Sequence, residues 1–261
     1  MPGWLDHAGV DLMVAAPRLA GYKVMPEARA PFAVDSGAYS VLQQYGEWPA
    51  DVNPRYFYPR SPEETYVRLV RRCMYEIGRK QWGRMLWAAS QDWPCDPLVI
   101  SGGVRHGVRY AGTRLSVAEH QRRTVTNYLQ LRDMAPEVPW VPPVQGWHRD
   151  EYLRCVDLYE AAGVDLAGEP LVGLGSLVGR EGTAEIEAVV TELAGMGLRL
   201  HGFGVKLRGL RRYARYLVSA DSQAWSAAGR RVPGCSPGHA TEANCLGFAL
   251  GYRQKILDLT A

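Results

Sequence analysis

The chain has 261 residues, 47% of them hydrophobic and 22% charged, with a formal net charge of +3. That composition suits one large globular domain or two small ones, and it excludes a helical membrane span, because no apolar run approaches the roughly 18 residues a bilayer needs. Five scattered cysteines (Cys73, Cys95, Cys155, Cys235, Cys245) fit a reducing compartment better than a disulfide framework, while the charge permits an anionic partner without requiring one.

The N-terminal "MPGWLDHAGVDLMVAAP" has acids and no basic start, so it is not expected to act as a secretory signal; no membrane association and a cytoplasmic location are expected. Within it, "DLMVAA" (11–16) reads as the first strand. "FAVDSG" (32–37) is the next, and it ends abruptly in Asp35-Ser36-Gly37-Ala38-Tyr39. "SPEETYVRLVRRCMYEIGRK" (61–80) opens with serine, proline and two acids, which is helix-start chemistry. After the strand "MLWAAS" (85–90), "SVAEHQRRTVTNYLQLRDM" (116–134) places Ser116 and Glu119 at capping-box spacing. "WVPPVQG" (140–146) is a strand, followed by the helix "RDEYLRCVDLYEAAG" (149–163), which Gly163 closes. "PLVGLGS" (170–176) is a strand, and "GTAEIEAVVTELAGMG" (182–197) carries Ile186, Val189, Val190 and Leu193 at helical spacing. Two more strands, "LRLHGFGV" (198–205) and "YLVSADS" (216–222), precede a weak eighth, "GRRVPG" (229–234).

Strands apolar on both faces, alternating with helices, predict an α/β fold with a parallel sheet covered by helices. The strand count favours a closed (β/α)₈ TIM barrel over residues 1–234, with a small C-terminal appendage over 235–261. An open doubly wound sheet is the alternative. No Walker or Rossmann phosphate loop is present, since "GLGSLVG" (173–179) lacks the spacing and the downstream acid.

Polar groups recur just where strands end: Asp35 and Ser36, Asp92, Gln145 and Gly146, the Gly173-Leu174-Gly175 run, and Asp221. In a (β/α)₈ barrel these ends share one mouth. Each has a plainer reading too: an Asp after a strand often caps a helix or makes an Asx-turn, and glycines often serve turns. Several carboxylates in one pocket repel and are costly to bury, so such a set points to a ligand. No histidine accompanies the acids at metal-ligand spacing, which favours a substrate. One carboxylate can act as nucleophile at carbon and another as general acid/base. The amide and backbone groups can read the edge of a flat ligand, with Tyr39 against its face. Glycosidic chemistry with an aromatic leaving group fits, and so does simple sugar hydrolysis by paired acids.

The ordered set "WLDHAGVDLMVAAPRLAG", "FAVDSGAYS", "WAASQDWPCDP", "VAEHQRRTVTNYLQLR", "VQGWHRDEYLRCVDLYEAAGVDLAGEPLVGLGS", "LRLHGFGVKLRGLRRY", "SADSQAWS" and "NCLGFAL" resembles the tRNA-guanine transglycosylase superfamily, in particular its shorter DpdA-like, queuine tRNA-ribosyltransferase-like members. The resemblance spans nearly the whole chain. It implies a (β/α)₈ barrel and a base exchange in which guanine leaves its sugar and a 7-deazaguanine base takes its place. By position in the matching motifs it implies Asp221 as nucleophile and Asp35 as general acid/base. Asp92 and Gln145 become readers of the base's polar edge. Gly173 and Leu174 add backbone hydrogen bonds, with Ser36, Gly146 and Gly175 in the same slot. Tyr39 is implied to stack on the base and His201 to pack its other face.

The superfamily also implies a structural zinc site. Cys235, His239 and Cys245 are present, and Glu242 stands near where relatives place another cysteine. Three such ligands and a carboxylate can bind zinc tetrahedrally; a decayed site with Cys245 packing is the alternative. The chain has no room for extra RNA-binding domains, so DNA is expected over tRNA or a small sugar (phosphate) donor. Basic stretches lie at 68–73, 78–84 and 206–216. In the last, Lys206, Arg208, Arg211, Arg212 and Arg215 are expected to meet phosphates, a solvated helix face being the alternative. A DNA target must leave the stack to be reached, with Trp147 and His148 as candidate contacts to the displaced strand. A homodimer is expected by resemblance. A non-catalytic base-binding module and a glycoside hydrolase are the competing readings.

Overall fold

Parallel strands can be joined only through long crossovers, and helices supply most of these here. The computed structural model describes residues 2–50, 60–78, 84–236 and 238–260, so the basic stretch at 78–84 lies mostly outside the described residues. The chain divides into two units, Met1–Ser176 and Leu177–Ala261.

In the first unit the elements run β1 (Leu12–Ala15), α1 (Ala16–Leu19), β2 (Phe32–Asp35), α2 (Ala38–Tyr45), α3 (Pro62–Arg72), β3 (Met85–Ala89), α4 (Pro97–Ser101), β4 (Gly103–Arg105), β5 (Val108–Tyr110), α5 (Val117–Met134), β6 (Trp140–Val141), β7 (Pro143–Val144), α6 (Arg149–Ala161) and β8 (Val172–Leu174). Strands β1, β2, β3 and β6 form a parallel sheet in that order. Strand β7 pairs in parallel with β8. The segment "WVPPVQG", expected as one strand, is therefore two short ones. Pro142 and Pro143 lack the amide hydrogen that would continue a ladder.

Three tyrosines tie helices to strands. Phe32, Val34, Ala88 and Val144 are fully buried. Over them the hydroxyl of Tyr66 (α3) donates to Ala89 O at 2.7 Å, that of Tyr159 (α6) to Pro143 O at 3.0 Å, and that of Tyr152 (α6) to Gly175 O at 3.0 Å. Each buries a large ring and satisfies a strand carbonyl. Helix α3 has the expected start: Ser61 and Glu64 form a reciprocal capping box. Helix α5 does so only in part. Ser116 accepts from the Glu119 amide, but the Glu119 carboxylate accepts from Arg122 and Arg123. After α6, Gly163 takes φ +77° and Val164 N bonds Tyr159 O at 2.9 Å, the expected left-handed stop. The antiparallel hairpin β4–β5 was not expected from the sequence.

The second unit contains α7 (Ala184–Gly195), β9 (Leu200–Gly202), α8 (Leu207–Tyr213), β10 (Leu217–Ala220), α9 (Ala224–Gly229) and α10 (Leu246–Thr260). Strands β9 and β10 are parallel. Helix α7 buries the expected Ile186, Val189, Val190 and Leu193. The weak eighth strand, 229–234, does not form: Gly229 ends α9, and only Pro233 makes a bridge, to Thr241. No helix among the described residues is long and apolar enough to cross a membrane.

Candidate functional site

In the first unit the segments after four strands are joined by hydrogen bonds. Gln145 follows β7 and is fully buried; its Nε2 donates to Asp92 Oδ2. Its Oε1 accepts from Ser176 Oγ at 2.6 Å, just after β8, and Ser176 Oγ accepts in turn from Cys95 N at 2.7 Å. The Gln145 backbone is held as well, its carbonyl accepting from Gln121 Nε2 at 2.6 Å. From β2, Ser36 Oγ donates to Asp92 Oδ1 at 3.4 Å. Asp92, Ser36 and Ser176 are all buried. The run from Ser90 to Asp96 is extended yet buried throughout, pinned by Trp93 N to Thr124 Oγ1 at 2.9 Å and by Asp96 capping α4.

Three glycines here are required by packing. A Cβ at Gly175 would lie 2.1 Å from Gln145 Nε2, so only glycine lets that side chain cross the strand end. Gly37 has φ +77°, and a Cβ there would meet Pro17 Cδ at 2.8 Å. Gly146 presses on the start of α6, where a Cβ would lie 2.7 Å from Tyr152 N. The Gly173 and Gly175 amides donate to Pro142 O and Val144 O in the strand ladder, and Leu174 is fully buried between them.

Asp35 makes the Asx-type contact of the plainer reading, accepting from Gly37 N at 3.1 Å. It is half-buried, and its charge acts on Asp92. Burial first, and the Asp35 carboxylate second, push the Asp92 carboxyl up to about 7; the bonds from Gln145 and Ser36 pull the other way. Tyr39 bonds Tyr110 hydroxyl to hydroxyl at 3.1 Å, with the rings edge-to-face. Burial raises the Tyr39 hydroxyl well above its ordinary range, so it stays neutral.

In the second unit, β9 and β10 bring His201 and Asp221 together. His201 Nε2 lies 3.5 Å from Asp221 Oδ1, and its Nδ1 lies 2.8 Å from Ser219 Oγ. Gly204 N donates to the same Asp221 oxygen at 2.9 Å. Ser219 was missed in the sequence, although strand period two puts it on the face of Asp221 and the register puts it opposite His201. Ser176 was missed likewise; its position just after a strand was the signal.

The basic run on α8 is partly neutralised. Arg212 pairs with Glu187 at 2.6 Å and Lys206 with Glu181 at 3.5 Å. The Arg208 Cβ approaches Gly182, Arg211 is exposed, and Arg215 stacks on Tyr216 at 4.6 Å. Of the expected strand contacts, His148 begins α6 and its amide, like that of Trp147, donates to Glu151.

Cys235, His239, Glu242 and Cys245 offer four ligand atoms within 4.8 Å of one another. A tetrahedral ion with zinc-like bonds spaces two sulfurs about 3.8 Å apart, sulfur and nitrogen about 3.5 Å, nitrogen and oxygen about 3.3 Å. The Cys235–Cys245 sulfurs are 3.8 Å apart, Cys235 Sγ and His239 Nε2 3.5 Å, and His239 Nε2 and Glu242 Oε1 3.2 Å. The four residues therefore fit a metal ion. Ser236 Oγ lies 3.1 Å from His239 Nδ1 and can fix that ring, and Phe248 N donates to Cys245 Sγ at 3.4 Å. Contact with Glu242 and Cys245 pushes the Cys235 thiol up to about 11, while the Cys245 thiol beside it holds Glu242 down to about 2.

Parallel strands alternating with helices define the α/β class of proteins, here with acids at several strand ends. Within that class, the chain belongs to the DpdA family, "DeoxyPurine in DNA protein A", whose model matches residues 1–261. This is the 7-deazaguanine DNA transglycosylase family, related to the tRNA-guanine transglycosylases, so the resemblance read from the motifs is borne out. A search of curated proteins finds no match to the chain.

The raised Asp92 carboxyl sets a pH dependence of stability. Below about pH 4 it is protonated folded or unfolded, and its contribution is fully present. As pH rises to about 7 the unfolded chain loses the proton and the folded one keeps it, so stability falls; above that the loss is complete. Asp92→Asn should remove up to about 4 kcal/mol of this fall. Urea midpoints of both proteins across pH 4–8 check it: the difference should grow toward pH 7, and parallel profiles would contradict it.

Proposed function

We propose that the chain is a base-exchange transglycosylase that replaces guanine in DNA by a 7-deazaguanine derivative. The observation that carries this reading is the buried Asp92, fixed by Gln145 and Ser36, in a chain of this family. A guanine edge presents two adjacent N–H donors, at N1 and the 2-amino group. An ionised Asp92 can accept both, while Gln145 and the Gly173–Gly175 backbone complete the slot with Ser36 and Gly146 around it. Tyr39 stacks on one face of the base and His201 packs its other face.

Asp221 attacks the anomeric carbon through Oδ2, because Gly204 and His201 both hold Oδ1. The C1′–N9 bond breaks, its electron pair goes to the base, and Asp35 supplies the proton that the departing nitrogen needs. The sugar remains as an ester of Asp221. A 7-deazaguanine base enters the slot and gives its N9 proton to Asp35. Its nitrogen attacks C1′, and the Asp221 carboxylate leaves. The base is held throughout, so the exchange gains from orientation and from water exclusion. Lys206, Arg208, Arg211 and Arg212 bind phosphate, Lys206 and Arg212 exchanging their acid partners for it. The (β/α)₈ barrel over 1–234, the C-terminal segment 235–261 with structural zinc, the homodimer and the cytoplasmic location belong to the same proposal.

Two tests follow. With labelled 7-deazaguanine base and duplex DNA, wild type should incorporate label and, on denaturing gels, trap a covalent DNA adduct. Asp221→Asn should abolish both. Asp35→Asn should slow incorporation by about 10²–10⁴-fold with free-base affinity unchanged. Full incorporation by Asp221→Asn rules the mechanism out. For the metal, elemental analysis should find one zinc per chain. Cys245→Ser should lose it and lower Tm, whereas Glu242→Cys should retain it; metal-free wild type with the Tm of Cys245→Ser would refute the site.

A further inference from the structure

The hairpin β4–β5 is a rigid finger with an unusual surface. Its strands pair Gly103 with Tyr110, Val104 with Arg109 and Arg105 with Val108. His106 (φ +51°) and Gly107 (φ +75°) make the two-residue left-handed turn that suits a tight hairpin. Each face therefore presents one valine beside one arginine. Residues 103–109 are all exposed, Val104 at 70% and Val108 at 44%. From Gly102 to Leu115 the sequence carries Arg105, His106, Arg109 and Arg114 and no acid.

The root of this finger is fixed to the candidate base slot. Tyr110 is buried with Leu42, Trp93 and Val99, against Tyr39 and Trp48. Its hydroxyl bonds that of Tyr39, and the Arg105 charge reaches the Tyr39 hydroxyl. Both stems are backbone-locked: Ala111 N donates to Gln43 O, Thr113 N to Val99 O and Arg114 N to Ile100 O, each at 2.9 Å. The Arg114 guanidinium donates to Ser101 O. Cβ atoms at Gly102 or Gly112 would collide with opposing backbone, at 2.8 and 2.6 Å. Exposed single valines are ordinary. Two on an acid-free arginine finger, anchored through Tyr39, match a polyanion that also offers apolar base faces. Helix α8 differs, since Glu181 and Glu187 already engage two of its cations.

We propose that the β4–β5 hairpin is a DNA-binding finger: Arg105 and Arg109 bind phosphates flanking the target nucleotide, and Val104 and Val108, on opposite faces of the ribbon, each press on one of the two bases that border the gap it vacates. This rests on DNA being the substrate. Cationic contacts release counterions and carry the salt dependence, while apolar wedges stabilise an unstacked step.

The test uses full-length protein and a duplex that wild type modifies, with 2-aminopurine beside the target guanine. Arg105→Ala/Arg109→Ala should lower the slope of log affinity against log salt by about 2. Val104→Ser/Val108→Ser should leave that slope unchanged and reduce the 2-aminopurine rise at least several-fold, and a mismatch at the target should restore it. Calorimetric binding of free 7-deazaguanine should be unchanged in both variants. Wild-type slope and extrusion in both variants, in a protein that still exchanges bases in DNA, would overturn the finger alone. Loss of free-base binding would assign the hairpin to supporting Tyr39 and overturn it too. Failure of wild type to bind or modify DNA would overturn the underlying reading and the finger with it.

Discussion

The hydrogen bond from Gln145 to Asp92 is the interaction on which the first unit's site depends. It joins the end of β7 to the segment after β3, and through Ser176 to the end of β8. A buried carboxylate with no donor would cost several kcal/mol, and a buried amide with no acceptor nearly as much. Each satisfies the other, and Ser36 and Ser176 take up further valence. The price is sequence freedom: Gly175 must lack a side chain for Gln145 to lie where it does. The arrangement remains poised, because burial and Asp35 raise the Asp92 carboxyl to about 7, where it exchanges its proton near neutral pH.

The second acidic centre solves a different problem. Asp221 is partly exposed; Gly204 N donates to its Oδ1, and His201 Nε2 lies 3.5 Å from the same oxygen. Asp92, by contrast, is buried and accepts hydrogen bonds from side chains on both oxygens. The chain thus sets two carboxylates in opposite surroundings, which is the arrangement the proposed separation of base binding from covalent chemistry calls for.

Helix starts and stops were legible because capping is local: Ser61 with Glu64, and Gly163 after α6, act within a few residues. The strand tips were legible for the same reason, as acids abruptly closing apolar runs. What could not be read was long-range. Ser176 meets Gln145 across 31 residues and Ser219 meets His201 across 18, and the local signals, a place just after a strand and a shared strand face, name no partner. Glu119 shows local competition instead, leaving its expected cap for two arginines. The prolines at 142 and 143 divided a strand that hydropathy alone ran together. The hairpin 103–110 escaped because its valines and arginines face solvent and bury no alternating face.

The central claim is that Asp92 reads the two-donor edge of a guanine-like base. Its most direct test is the affinity of 7-deazaguanine against the analogue lacking the 2-amino group, measured on wild type and on Asp92→Ala. Removing a donor from a site built to accept it should cost wild type on the order of 10²-fold or more, and cost the alanine variant almost nothing. An equal loss in both proteins, or no loss in either, would mean that some other group holds the base.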